Sequence, residues 1–255
     1  MILLDEVVQF FIHFERHLYS RKLTEASSQF AQQISRLRSD VIAIREVVAI
    51  GQEAPASVLA RAFVEGVELA MALAIDETFS RTYASAEDQT AFWKRQIGYG
   101  KIYPRVEAFM KGAGDAPEEI GEHIARHKAV KDGLSGHVHS ARYSALRSVA
   151  VPSISHPGMF HIGGLGALSA HLPRLCMLVA DETHVFSGCC INLIIKPGPP
   201  AALENTRPTG VFGNVIASAH LIQQLLLEYG DQLSRHYESF LELEKHDEAE
   251  DPSAT

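Results

Sequence analysis

Arg61, Glu65, Glu68, Ala72 and Asp76 follow one another at steps of three or four residues, which on an α-helix sets them along one face. Their surroundings, Ala62-Phe63-Val64 and Leu69 through Ile75, are apolar on nearly every side. A helix apolar almost all round is expected to be buried, and charges on it must be paired or must line a groove. Two chemistries fit the stripe. It is either an arginine–glutamate network that fixes helix register, or a groove in which Arg61 holds an anion and Glu65 works as an acid or base.

A second group lies in Lys131-Asp132-Gly133-Leu134-Ser135-Gly136-His137-Val138-His139-Ser140. On a helix Asp132, Ser135, His139 and Arg142 share one face, with Leu134, Val138 and Ala141 on the apolar side. A histidine beside a carboxylate, a hydroxyl and a guanidinium can serve as a general acid or base, or can simply be hydrogen-bonded at a helix interface. His123 and His127 stand one helical turn apart, as do His13 and His17, a spacing able to hold a metal. His13 and His17 are expected on the exposed side, opposite Phe10 and Phe14. No glutamate-x-x-histidine set recurs on two helices as in ferritin-like bundles, so neither a metal nor a cofactor is expected. Gly163-Gly164-Leu165-Gly166 lacks the lysine and spacing of a phosphate loop.

Helices must position these groups. Leu3, Val7, Phe10, Phe14 and Leu18 predict a first helix, and Phe30, Ile34, Leu37, Val41, Ile44 and Val48 a second that stops at Gly51. A third starts near Pro55 and runs through Phe79. A short helix fits 87–98, with a further segment through Val106, Phe109 and Met110. Pro117-Glu118-Glu119 opens a helix, acids first, that reaches toward Leu146. The stretch 149–167, rich in Pro, Gly, Ser and His, predicts a long ordered loop. A buried helix fits 168–195, although 185–195 could instead be a strand. The last helix covers about 211–245 and leaves an acidic, flexible tail over 247–255. The fold class is all-α: a multi-helix bundle forming one domain over 1–246.

Composition limits the functions available. A chain of 255 residues that is 46% hydrophobic can bury a substantial core. A net charge of −8 argues against broad DNA binding, which needs a basic surface. Cys176, Cys189 and Cys190 are odd in number and clustered, which predicts reduced thiols and a cytoplasmic address. Asp181, Glu182 and His184 interrupt the most apolar stretch, so no membrane span is expected.

The segments Arg61-Ala62-Phe63-Val64-Glu65 with Asp76, and Leu134-Ser135-Gly136-His137-Val138-His139-Ser140, together resemble an uncharacterised bacterial family of helical proteins. That family falls in the broad HEPN-like group (higher eukaryotes and prokaryotes nucleotide-binding), and the resemblance covers about residues 30–150. It implies a helical bundle, and a ribonuclease or an inactive relative in a defence or toxin–antitoxin setting. The short arginine-to-histidine spacing of the active, metal-independent ribonucleases is carried by no arginine here.

The expectation is therefore a polar interhelical groove lined by Arg61, Glu65, Glu68, Asp132, Ser135, His139 and Arg142. It would bind a nucleotide or an RNA end, with His139 and Glu65 as the candidate catalytic pair. The competing expectation is a non-catalytic interaction module, a homo-oligomer or the partner of another protein, whose charged stripe only stabilises the bundle.

Overall fold

The computed structural model describes residues 1–20, 22–138, 150–152, 160–162, 171–204 and 210–250. Helix α1 covers Ile2–Tyr19, α2 Glu25–Ala49, α3 Glu53–Ile75, α4 Glu77–Ala84, α5 Gln89–Gln96, α6 Tyr103–Ala113 and α7 Pro117–Val138. Strands β1 (Ala150–Pro152) and β2 (Phe160–Ile162) pair antiparallel with Val151 opposite His161, and α8 (His171–Ile195) and α9 (Gly210–Glu250) complete the chain. The all-α bundle expected from periodicity is what forms.

Helix α3 is the hub, packed against α2, α6, α7 and α8, while α1 packs against α2 and α9. The heptad-like seam of α2 buries Phe30, Ile34, Leu37, Val41 and Ile44 completely. That helix opens on a capping box, in which the Thr24 hydroxyl accepts from the Ser27 amide and the Ser27 hydroxyl from the Thr24 amide. It ends before Gly51, whose φ of 75° lies in the left-handed region. The α2–α3 contact is close because Gly66 has no side chain. A Cβ there would stand 2.9 Å from Leu37 Cδ2, and Gln33 Nε2 donates to the Gly66 carbonyl at 2.9 Å. Phe186 of α8 lies at the centre of the core, stacked on Phe109 at 6.1 Å and meeting Phe14 and Phe30 at 6.4 Å.

Several boundaries differ from the sequence reading. The stripe on α3 does not extend to Asp76. The third helix stops at Ile75, and Asp76 caps the next one, its carboxylate accepting from the Phe79 amide at 2.9 Å. Its second oxygen takes a hydrogen bond from Arg105 Nε at 2.9 Å. Spacing alone did not register that the chain turns there. We expect Asp76→Ala to lose cap and ion pair together and to lower stability by about 1–2 kcal/mol, read as a shift in the urea midpoint at unchanged slope.

Residues 185–195 are helical, part of α8, and the alternative of a strand is closed. Within the expected 149–167 loop the described residues form the β1–β2 pair. The last helix runs on to Glu250, beyond the expected end near 245. His17 is fully buried, its ring 5.0 Å from that of Phe212, where exposure was expected: α9 covers that side of α1.

By length and composition alone, α8 and the Gly210–Gln232 part of α9 could each cross a membrane. In the fold α8 is a core helix, and its mid-span acids Asp181 and Glu182 are ion-paired to α7.

Candidate functional site

Helices α3, α7 and α8 meet around one imidazole. His127 of α7 is fully buried, and so are Glu68 of α3 (1% exposed) and Glu182 of α8 (0%). His127 Nδ1–H donates to Glu68 Oε1 at 3.0 Å, and Nε2–H donates to Glu182 Oε2. One turn further along α7, Lys131 Nζ donates to both Glu68 oxygens, at 2.7 and 2.8 Å. Its ammonium also lies 4.7 Å from the centre of the Tyr103 ring, a favourable placement for a cation over a π face. The i, i+4 spacing of His127 and Lys131 is what lets one carboxylate from α3 meet both.

Burial by itself would depress the His127 pKa, but its hydrogen bonds to Glu182 and Glu68 outweigh it and hold the imidazole above its ordinary value. For Glu182 burial pushes the other way, and the bond from His127 prevails, keeping the carboxylate below its usual range. Lys131 is likewise raised: the Glu68 charge more than offsets desolvation. Each shift favours the charged form of its group.

Toward solvent the network continues through His123 and Arg126. Arg126 Nη1 pairs with Asp181 at 2.6 Å, while Nη2 lies 3.4 Å from Glu182 Oε1 and donates to His123 Nδ1 at 3.1 Å. The His123 and His127 rings are 4.1 Å apart. Burial, reinforced by the nearby His127 charge, lowers the His123 pKa to about 4. Burial also raises Asp181, against the pull of Arg126. Among the described residues neither His123 Nε2 nor Glu182 Oε1, both buried, has a hydrogen-bond partner, an uncommon state for interior polar atoms. His123 and Arg126 line a cavity of about 590 Å³, whose wall also carries Asp115, Glu119, Glu122 and His184.

No family model matches the chain, and neither a curated protein nor a solved structure does. The chemical reading rests on this geometry.

The residues expected in the groove divide into two sets. Glu68 sits in the buried network just described. Arg61 and Glu65, two turns and one turn back along α3, form their own pair at 3.1 Å with side chains 22% and 33% exposed. On α7, Asp132 is exposed and Ser135 half-buried. His139 and Arg142 lie outside the described residues. The expected partner of the stripe was the Asp132/Ser135/His139 face, but Glu68 meets His127 and Lys131 instead.

His127, Lys131 and Glu182 were missed as site residues. The signal for His127 was present in its spacing from His123. Glu182 was visible only as a charge interrupting an apolar run. The cysteines offer no nucleophile. All three are buried and free, and burial pushes Cys176, Cys189 and Cys190 up, with Cys189 donating to Asp115 at 3.3 Å.

Proposed function

We propose that the protein binds the phosphate of a nucleotide or RNA end along the edge where α3 and α7 pack, as a HEPN-like helical protein would. Arg61 is the anion-holding group, with Glu65 orienting it. One observation carries the reading. Arg61 Nε is engaged by Glu65, yet its Nη1 is buried with no hydrogen-bond partner among the described residues. A guanidinium with an unused donor edge suits a phosphate, which accepts from it in planar, charge-assisted fashion. Asp132 and Ser135 are carried on α7, which packs against α3, and the HEPN-like resemblance supplies His139 as the acid or base for any hydrolysis.

The alternative is a non-catalytic interaction module, and it has its own observation: Glu68, part of the same stripe, is wholly occupied by His127 and Lys131. One titration separates the two. Fluorescence anisotropy with a 5′-phosphorylated oligoribonucleotide, at fixed salt, compares the protein with Arg61→Gln. Loss of a charge-assisted contact predicts an affinity lower by about 10-fold or more, with an unchanged thermal midpoint. Equal affinity of both proteins, or no difference between phosphorylated and unphosphorylated RNA, would overturn the phosphate reading. If RNA is cleaved, His139→Ala abolishes cleavage while leaving binding intact.

A further inference from the structure

We propose that His123, His127 and Glu182 form a three-ligand site for a divalent transition-metal ion of the zinc type. Their ligand atoms lie within 4.8 Å of one another, all three residues are buried, and they come from two rigid helices. Two histidines at i, i+4 on one helix with a carboxylate from another are the donor set of open, three-ligand zinc sites, and the same set suits other borderline divalent ions.

Independent observations point to a ligand here. Among the described residues His123 Nε2 is a buried nitrogen without a partner, on a residue 5% exposed, and Glu182 Oε1 is buried without a hydrogen bond. His123 Nε2 is an unfilled position for a cation, and Glu182 Oε1 has the Arg126 guanidinium 3.4 Å away but no hydrogen bond. Around them stands the support that metal-binding histidines ordinarily have. Glu68 fixes the far nitrogen of His127, and Lys131 fixes Glu68 through both oxygens, which sets the ring orientation and leaves Nε2 facing Glu182. The 590 Å³ cavity reaches His123 from solvent past Asp115, Glu119 and Glu122. Its carboxylates draw cations in, and its space accommodates a water as the fourth ligand.

The proton balance of loading is definite. The His127 Nε2 proton, shared with Glu182 in the metal-free protein, leaves to solvent as the ion takes that nitrogen. His123 binds through Nε2 and carries its ring proton on Nδ1, so the Arg126 donor now at Nδ1 withdraws and keeps its bond to Asp181. Arg126 thus opposes loading both by charge and by occupying the wrong edge of His123. Glu68 favours it from a distance as a positioning residue.

Isothermal titration of chelator-stripped protein with ZnCl₂, paired with the absorption spectrum on adding CoCl₂, tests the site. The expected result is one equivalent of zinc with proton release, and cobalt bands of a low-coordinate N/O site. His123→Ala, whose folding is checked by circular dichroism, is expected to weaken binding by about 100-fold. Glu68→Gln should weaken it by about 10–100-fold, and Arg126→Gln should strengthen it. Arg61→Gln leaves it unchanged, so the metal site and the phosphate reading stand or fall separately. Absence of stoichiometric binding, or an affinity and cobalt spectrum unaltered in folded His123→Ala, would overturn the proposal.

Discussion

Glu68→Ala lowers the unfolding free energy by roughly 3–5 kcal/mol, the cost of removing one partner from a buried ion pair, whereas Glu65→Ala, three residues away, costs only about 0.3–0.5 kcal/mol. The difference follows from what each carboxylate leaves behind. Without Glu68 the Lys131 ammonium loses both its oxygen partners and the imidazolium of His127 loses one of two, in a region where Glu68 and His127 have almost no contact with water. Lys131 retains some access to solvent, its side chain being 17% exposed, so its head can partly rehydrate and the loss should fall toward the lower end. Without Glu65, Arg61 remains on a partly exposed face where water replaces the lost oxygen. Urea unfolding of the two variants measures both numbers. Equal losses would mean that the network around His127 does not hold α3, α7 and α8 in register.

The same contrast explains how much of the site could be read from the chain. Residue spacing reports which groups share a face of one helix, and it correctly placed Arg61, Glu65 and Glu68 together. It says nothing about which turn of α7 that face will meet. Asp132, Ser135 and His139 stand out in sequence because they combine a carboxylate, a hydroxyl and an imidazole on one helix face. The packed register instead brings His127 and Lys131 to Glu68. Register depends on the Gly66–Leu37 approach and on how α6 and α8 seat around α3, which are properties of the assembled bundle.

Periodicity served well where it was strong, as over Phe30 to Val48 with its stop at Gly51. It failed in two identifiable ways. Asp76 falls in step with the stripe but occupies a cap, since a capping residue can sit at helical spacing after the helix has ended. In α8 the run from Val185 to Ile195 is apolar on most faces, so helix and strand look alike in sequence. The residue of most interest there, Glu182, read as a flaw in an apolar segment. Buried between His127 and Arg126, it is the reason two helices pair at that level.

The two histidines of α7 titrate in opposite senses, so their combined contribution to the stability of the metal-free protein is greatest near pH 6.5. His123 faces His127 and Arg126 as positive groups and Glu182 and Glu68 as negative ones, and burial dominates, taking it from 6.5 to about 4. Its unfolded form therefore binds a proton that the folded form refuses. Stability attributable to His123 is complete above pH 6.5 and is lost as pH falls from there toward 4, by roughly 3 kcal/mol in all. His127 behaves in reverse. Held above 6.5 by Glu182 and Glu68, it contributes fully below pH 6.5, and that contribution is lost as pH rises through its folded value. His13 and His184 are also lowered by burial and add to the acid limb, so the slope of the whole protein does not isolate His123. The difference between protein and His123→Gln does. With chelator present, the unfolding free energy of the parent should rise between pH 5 and 6 by about 1.2 kcal/mol more than that of the variant, close to one proton's worth of linkage. Parallel curves would show that His123 is hydrated and titrates normally, and would remove the buried, partnerless nitrogen on which its proposed metal-ligand role depends.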